Sequence, residues 1–403
     1  MATPVDEWKK KSFLLGGVFT PRTPINARKL FSGRIPQINK VLDAVSQKGS
    51  HAMLYGERGV GKTSLSNVLS DYLTGVAAFV LPRVNCDASD TYSSVWKKIL
   101  QDFEITRRKS GVGFNAAERL EVTSIVESMP DVVTPDHIRR TISDLSQKSA
   151  IVFIFDEYDR LQDRKSRMMM ADTIKMLSDY SVSATILLIG VADTVDQLIE
   201  DHLSIERALV QIPMPRMSDI EINDIVENGL SQIKMKIEAG PLKTIVNLSQ
   251  GLPYVTHLLS LHAAKSALSQ KSLTILDGHV QVGINKSLEE WQQSIKSAYY
   301  EATKSQQPDT IYKQVLLACA LAEKDEFGYF SAAAVRTPLS SNTGKYYDIP
   351  NFARHLKEFS EIGRGQILEK AGGKRKIRYR FTSPLIQPYI IIRASKEGDL
   401  RTH

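Results

Sequence analysis

One stretch constrains this chain more than any other: Gly56-Glu57-Arg58-Gly59-Val60-Gly61-Lys62-Thr63. It fits the pattern GxxxxGK[ST] at every fixed position. It stands between the apolar run His51–Tyr55 and a helical periodicity over Lys62–Leu73. A buried strand, a glycine loop and a helix in that order make a cradle for phosphate. Glycines let successive backbone N–H groups turn inward onto phosphate oxygens, and the helix offers its positive end to the same anion. Lys62 is expected to reach the β- and γ-phosphates and the Thr63 hydroxyl to ligate Mg²⁺. The expected cofactor-binding set is Gly56, Arg58, Gly59, Val60, Gly61, Lys62, Thr63 and Ser64.

A second run supports the first. Ile151-Val152-Phe153-Ile154-Phe155 is followed directly by Asp156-Glu157. An apolar strand ending in two acids is the partner that a phosphate loop needs. Asp156 is expected to hold Mg²⁺, and Glu157 to polarise the attacking water as general base. A Glu placed directly after the Asp argues for hydrolysis and not only for binding.

Around these motifs the pattern is that of an α/β protein. His51–Tyr55, Ala77–Val84, Ala150–Phe155, Ala184–Gly190 and Ala208–Ile212 read as short buried strands. Helical periodicities at Lys62–Leu73, Tyr92–Phe103, Pro135–Leu145 and Arg167–Ser178 fall between most of them, which implies a mostly parallel, doubly wound sheet. After Pro215 strand signals stop, and Asp219–Ile233, Pro241–Leu248, Tyr254–Leu268 and Leu288–Ala302 read as helices. From about residue 306, helical segments at Thr310–Ala322, Ser331–Val335 and Asn351–Ile362 precede two arms, Gly365–Lys370 and Lys374–Phe381, around Gly372-Gly373. Three helices and then a hairpin is the order of a winged helix. The expected division is an N-terminal segment packing on the ATPase core (1–50), a P-loop ATPase domain (51–214), a helical lid (215–305) and a winged-helix domain (306–403).

Composition excludes several classes. Two cysteines in 403 residues make no disulfide framework and no zinc site, so a reducing, cytoplasmic setting is expected. No apolar stretch approaches the ~20 residues that span a bilayer. The apolar run after Lys9-Lys10-Lys11 is short and meets Pro21, which argues against a leader peptide. The net charge of +7 is confined to the C-terminal end: residues 351–403 hold twelve Lys/Arg against five Asp/Glu. Such local excess bears on partners.

Four weaker signals remain. The strand Ala184–Gly190 leads to Asp193-Thr194, either of which could sense a γ-phosphate; both also cap helices well. Arg207, just before the last strand, is either an arginine finger for a neighbouring subunit or a surface ion-pair former. Gly251-Leu252-Pro253 is either a contact for bound nucleotide or a plain helix break with Pro253 at a first helical position. The hairpin arms carry Lys370, Lys374, Arg375, Lys376, Arg378 and Arg380 with Tyr379 and Phe381 interleaved. These cations either meet DNA phosphates or form a solvated strand on a protein-docking domain.

Taken together, the order of Phe31-Ser32-Gly33-Arg34, the P-loop, Asp156-Glu157, the strand before Asp193, Arg207, a helical lid with Gly251-Leu252-Pro253 and a basic hairpin resembles AAA+/STAND-type ATPases. It is most similar to origin-recognition ATPases with a C-terminal winged helix. The resemblance implies ATP and Mg²⁺ as cofactors, bound between sheet domain and lid with Phe31 to Arg34 near the adenine. It further implies self-association driven by ATP, with Arg207 completing a neighbour's site. Two departures from the family pattern stand out. Asp193 replaces the usual sensor Asn. Gly251-Leu252-Pro253 replaces a sensor Arg, which leans toward STAND switches, whose sensor or effector would here be a separate protein. The implied function is an ATP-driven switch that assembles on or remodels a nucleic-acid complex; the alternative is a signalling or anti-phage defence ATPase docking an effector protein. No membrane partner is expected.

Overall fold

The computed structural model describes residues 7–25, 31–74, 79–109, 119–147, 149–191, 205–305, 310–325, 327–373 and 376–400. In chain order the elements of the first half are α1 (Glu7–Val18), α2 (Ile35–Ser46), β1 (His51–Tyr55), α3 (Lys62–Thr74), β2 (Phe79–Val80), β3 (Arg83–Asn85), α4 (Tyr92–Leu100), β4 (Glu104–Lys109), β5 (Arg119–Ser124), α5 (Pro135–Leu145), β6 (Ala150–Asp156), α6 (Arg164–Asp179), β7 (Ala184–Gly190) and β8 (Leu209–Pro213). After β8 come α7 (Asp219–Gln232), β9 (Lys236–Ile237), α8 (Ala239–Ser249), α9 (Pro253–Ser269), β10 (Thr274–Ile275), α10 (Asp277–Glu290) and α11 (Gln293–Thr303). The C-terminal region holds α12 (Tyr312–Leu321), β11 (Phe330–Ser331), α13 (Ala332–Thr343), α14 (Ile349–Phe359), β12 (Leu368–Ala371), β13 (Arg378–Phe381) and α15 (Ile386–Glu397). The chain divides into two compact units, one of residues 34–56 and 65–214, the other of 1–33, 57–64 and 215–403.

The first unit is built on the parallel sheet, in the order β2-β6-β7-β1-β8, with β3 also paired to β6. Its central strands are mostly apolar, and β7 is buried at every residue, as strands covered on both faces require. Trp96 of α4 is fully buried and stands edge-on to Phe153 and Phe155, at 5.5 and 5.0 Å between ring centroids. His51 is also core: its Nδ1 accepts the Ile186 N–H at 2.9 Å. Burial pushes its pKa down to about 4 and keeps the ring neutral.

Two expectations are corrected here. The strand expected over Ala77–Val84 is two short ones, β2 and β3. Pro82 lies between them and cannot donate to a ladder, while its carbonyl still accepts the Ile154 N–H at 2.9 Å. The helix expected over Tyr92–Phe103 stops at Leu100, and an antiparallel hairpin, β4 with β5, follows where no strand is expected.

In the second unit α9 is the axis. It is buried along most of its length and touches α1, α7, α8 and α10. The single helix expected over Leu288–Ala302 is instead the end of α10 and all of α11. The chain turns extended at Trp291 (φ −61°, ψ 147°), which buries the indole against Tyr254 and Tyr389. In the C-terminal region α12, α13 and α14 precede the β12–β13 hairpin, to which β11 adds a third antiparallel strand. α13 runs well past the segment expected at Ser331–Val335, and the last apolar stretch is the helix α15. No helix among the described residues is long and apolar enough to cross a membrane.

Candidate nucleotide site

The glycine loop leaves β1 and enters α3 at Lys62. Gly59 and Gly61 have φ of +84° and +97°, which only glycine adopts without strain. Among the described residues, a Cβ on Gly59 would meet nothing within 4 Å, and one on Gly61 would meet only Pro253 Cγ, at 3.9 Å. The loop surface is therefore open, with Pro253 beside it in the same unit. Lys62 Nζ donates to the Glu57 carbonyl at 2.8 Å, so its ammonium lies over the loop's own backbone. Val60 is fully buried and anchors the loop, whereas Arg58 is exposed.

Gly56 and Ser64 have other duties as well. A Cβ on Gly56 would collide with the Met214 carbonyl, so packing at the end of β1 already demands glycine there. The Ser64 hydroxyl accepts the Ile25 N–H at 3.1 Å, which ties the N-terminal segment to the start of α3. Of the segment Phe31 to Arg34, Ser32 accepts from Asn228 of α7 at 3.0 Å, and Arg34 is buried at the left-handed N-cap of α2.

The two acids end β6 in the other unit. Asp156 is buried, and its Oδ1 accepts the N–H of Glu157 at 2.8 Å. Its Oδ2 pairs with Arg83 of β3. Glu157 is left-handed, at φ 52°, and half-exposed; its carboxylate pairs with Arg160 at 2.9 Å. Arg207 is exposed in the turn before β8. Asp193, Thr194, Lys374 and Arg375 lie outside the described residues.

These side chains suit Mg²⁺ by their chemistry. Mg²⁺ takes hard oxygen ligands, often one or two carboxylates plus substrate phosphates, and no all-protein cage. A Thr hydroxyl and an Asp carboxylate are such donors, and among the described residues no cluster of three His, Cys, Asp or Glu offers a complete cage.

One feature escapes a motif search. Glu57, a variable position of the loop pattern, is buried and paired with Arg216 at 2.7 Å. Arg216 also donates to the Gln387 side chain at 2.6 Å and to the Gln250 carbonyl at 3.3 Å. Gln387 in turn donates to Gln250 Oε1 at 3.0 Å and to the Ala320 carbonyl at 2.8 Å. The loop is thereby bonded, within one unit, to the turn before Gly251-Leu252-Pro253, to α12 and to α15. Gly251 itself needs φ +71°, and a Cβ there would stand 2.6 Å from the Met217 carbonyl. A cavity of about 550 Å³ adjoins the network, lined by Glu57, Arg216, Gln250, Lys324 and Gln387 among others. Burial, with the nearby Arg216 charge, pulls Lys324 down to about 7. The only sequence signal for this network is an Arg just after the last strand; its partners lie too far along the chain to be paired by eye.

On the hairpin, Arg378 pairs with Asp325 at 2.8 Å and Arg380 pairs with Glu369, while Lys376 is exposed. On α14, Arg354 pairs with Glu358 at 2.6 Å and Lys357 with Glu361 at 3.8 Å.

Comparison with known proteins adds one match to a family model: residues 45–198 match that of an AAA domain. No curated protein matches the chain. Among solved structures it is similar to the Walker-type ATPase PABY2304 of Pyrococcus abyssi (14% identity, 92% of this chain and 99% of that one, TM-score 0.49). It is also similar to Cdc6p of Pyrobaculum aerophilum (12%, 96% and 99%, 0.48). A third is the ORC1 protein of Aeropyrum pernix, solved in complex with DNA (14%, 95% and 96%, 0.46).

Proposed function

We propose that this AAA-domain protein is an ATP-driven switch that binds and hydrolyses ATP and, through its C-terminal region, assembles on or remodels a nucleic-acid complex. Lys62 and the loop N–H groups take the phosphates, Thr63 and Asp156 hold Mg²⁺, and Glu157 is the base. Bound Mg²⁺ supplies positive charge to the phosphate oxygens. Gly61 and Pro253 line the loop, and Arg207 is the candidate finger for a neighbouring copy. The observation that carries the switch reading is the bonded path from Glu57 through Arg216 to Gln250 and Gln387. A loop that shifts when phosphate arrives must carry its buried Glu57 along, or break an ion pair whose loss leaves a charge uncompensated, at about 3–5 kcal/mol.

A second reading, docking of a partner protein, is favoured by one observation: Arg354, Lys357, Arg378 and Arg380 all have carboxylate partners within the C-terminal region. In three of these pairs the cation is more than half exposed, where ion pairs are weak, so phosphates could displace the carboxylates. Fluorescence anisotropy with duplex DNA at two salt concentrations, with and without ATP, separates the readings. The variant changes Lys374, Arg375, Lys376, Arg378 and Arg380 to Ser. The nucleic-acid reading expects ATP-enhanced binding that falls steeply with salt and is lost in the variant. Absent binding, or binding indifferent to both ATP and the substitutions, makes the partner-protein reading the correct one.

A further inference from the structure

Asp156 is not alone at the end of β6. β3 runs parallel to it, with Arg83 opposite Ile154 and Asn85 opposite Asp156. From there the Arg83 guanidinium reaches two acceptors, Asp156 Oδ2 and Asn67 Oδ1 of α3. A guanidinium is a planar fork of donors that cannot give up its charge. Two acceptors set that plane. The carboxylate end of the pair is 4% exposed and the guanidinium end 27%, so water screens it little. Nothing in the phosphate-loop pattern calls for a cation here. Yet this one sits on the carboxylate to which Mg²⁺ is assigned.

We propose that Arg83 is a positioning residue that gates Mg²⁺: it holds Asp156 in a charge-neutral pair and sets how strongly nucleotide binding depends on the metal. This rests on the ATP reading above. Two effects of Arg83 oppose each other. It orders the carboxylate, which would help a metal, and it places a fixed positive charge beside the metal's ligand, which opposes one. The second effect dominates, because Asp156 Oδ1 keeps its bond from the Glu157 N–H without Arg83 and so stays oriented. Asn67 acts one step further out, by aiming the guanidinium.

The test measures the affinity of a fluorescent ATP analogue in Mg²⁺ and in EDTA, for wild type, Arg83→Met, Arg83→Lys and Asn67→Ala. The ratio of the two dissociation constants isolates the metal's contribution. In Arg83→Met the preference for Mg²⁺ is expected to rise about tenfold or more, since a charge contact of a few ångströms is worth about a factor of ten even when water screens it fully. Arg83→Lys, which keeps the charge, should stay near wild type. Asn67→Ala should rise less than Arg83→Met, and serves if that variant does not fold, as judged by thermal melting. Nucleotide binding with an unchanged or smaller metal preference in Arg83→Met and Asn67→Ala overturns the gate and leaves the ATP assignment standing. Failure of wild type to bind the analogue under either condition overturns the ATP assignment, and the gate with it.

Discussion

Lys62→Ala is expected to weaken ATP binding about a hundredfold or more, to the point where calorimetric titration shows none. The ammonium is the only side-chain cation in the fixed part of the loop pattern, and it stands at the first residue of α3, over the Glu57 carbonyl at 2.8 Å. Moved onto a triphosphate, it makes charge-assisted bonds to two phosphates. At about 1.5–3 kcal/mol for each hydrogen bond to a charged group, the loss is on the order of a hundredfold or more in affinity. The fold should survive, because Lys62 is only partly buried and its bond to the Glu57 carbonyl lies within the loop itself. Calorimetric titration with ATP checks it. Wild-type affinity in the variant would remove the loop from the account.

Glu157→Gln is expected to leave ATP binding intact and lower turnover by about 10²–10⁴-fold, the usual contribution of a positioned general base. The structure makes this substitution clean. Glu157 is half-exposed, and its pair with Arg160, itself half-exposed, adds little to stability. Its left-handed backbone tolerates Gln about as well as Glu, since the side chain forms no cap bond. Single-turnover assays at saturating ATP separate the two effects. Unchanged hydrolysis would assign the base to another residue.

The parts legible in the sequence are those that repeat a local rule. Strands β1, β6 and β7 are runs of apolar residues bounded by polar ones, and their ends match the expectations to within a residue. The P-loop is written in consecutive letters. The misjudged elements depend on something beyond local apolarity. The β2–β3 edge is interrupted by Pro82. The β4 segment, Glu104-Ile105-Thr106-Arg107-Arg108-Lys109, is too charged to read as a strand by apolar runs alone. The break at Trp291 exists because the indole buries itself against Tyr389, far along the chain. The polar groups around the site were least legible. Arg83 meets Asp156, and Glu57 meets Arg216, only through tertiary packing, and no periodicity pairs residues at such separations.

The two networks also divide the labour. The Arg83 pair belongs to the sheet unit and bears on the carboxylate proposed to hold Mg²⁺. The Glu57 network belongs to the other unit and joins the loop to the C-terminal helices. Only the second carries the proposed switch.

Hydrogen–deuterium exchange of wild type and Glu57→Gln, each with and without saturating ATP, tests that claim most directly. Wild type is expected to change protection on ATP binding around Leu316–Lys324 and Leu385–Ile392, the segments bonded to Gln387. Glu57→Gln, with its charge to Arg216 removed, should bind ATP and lose that change. Identical exchange of these segments in wild type with and without ATP would contradict the account, leaving an ATPase whose C-terminal region takes no signal from its nucleotide.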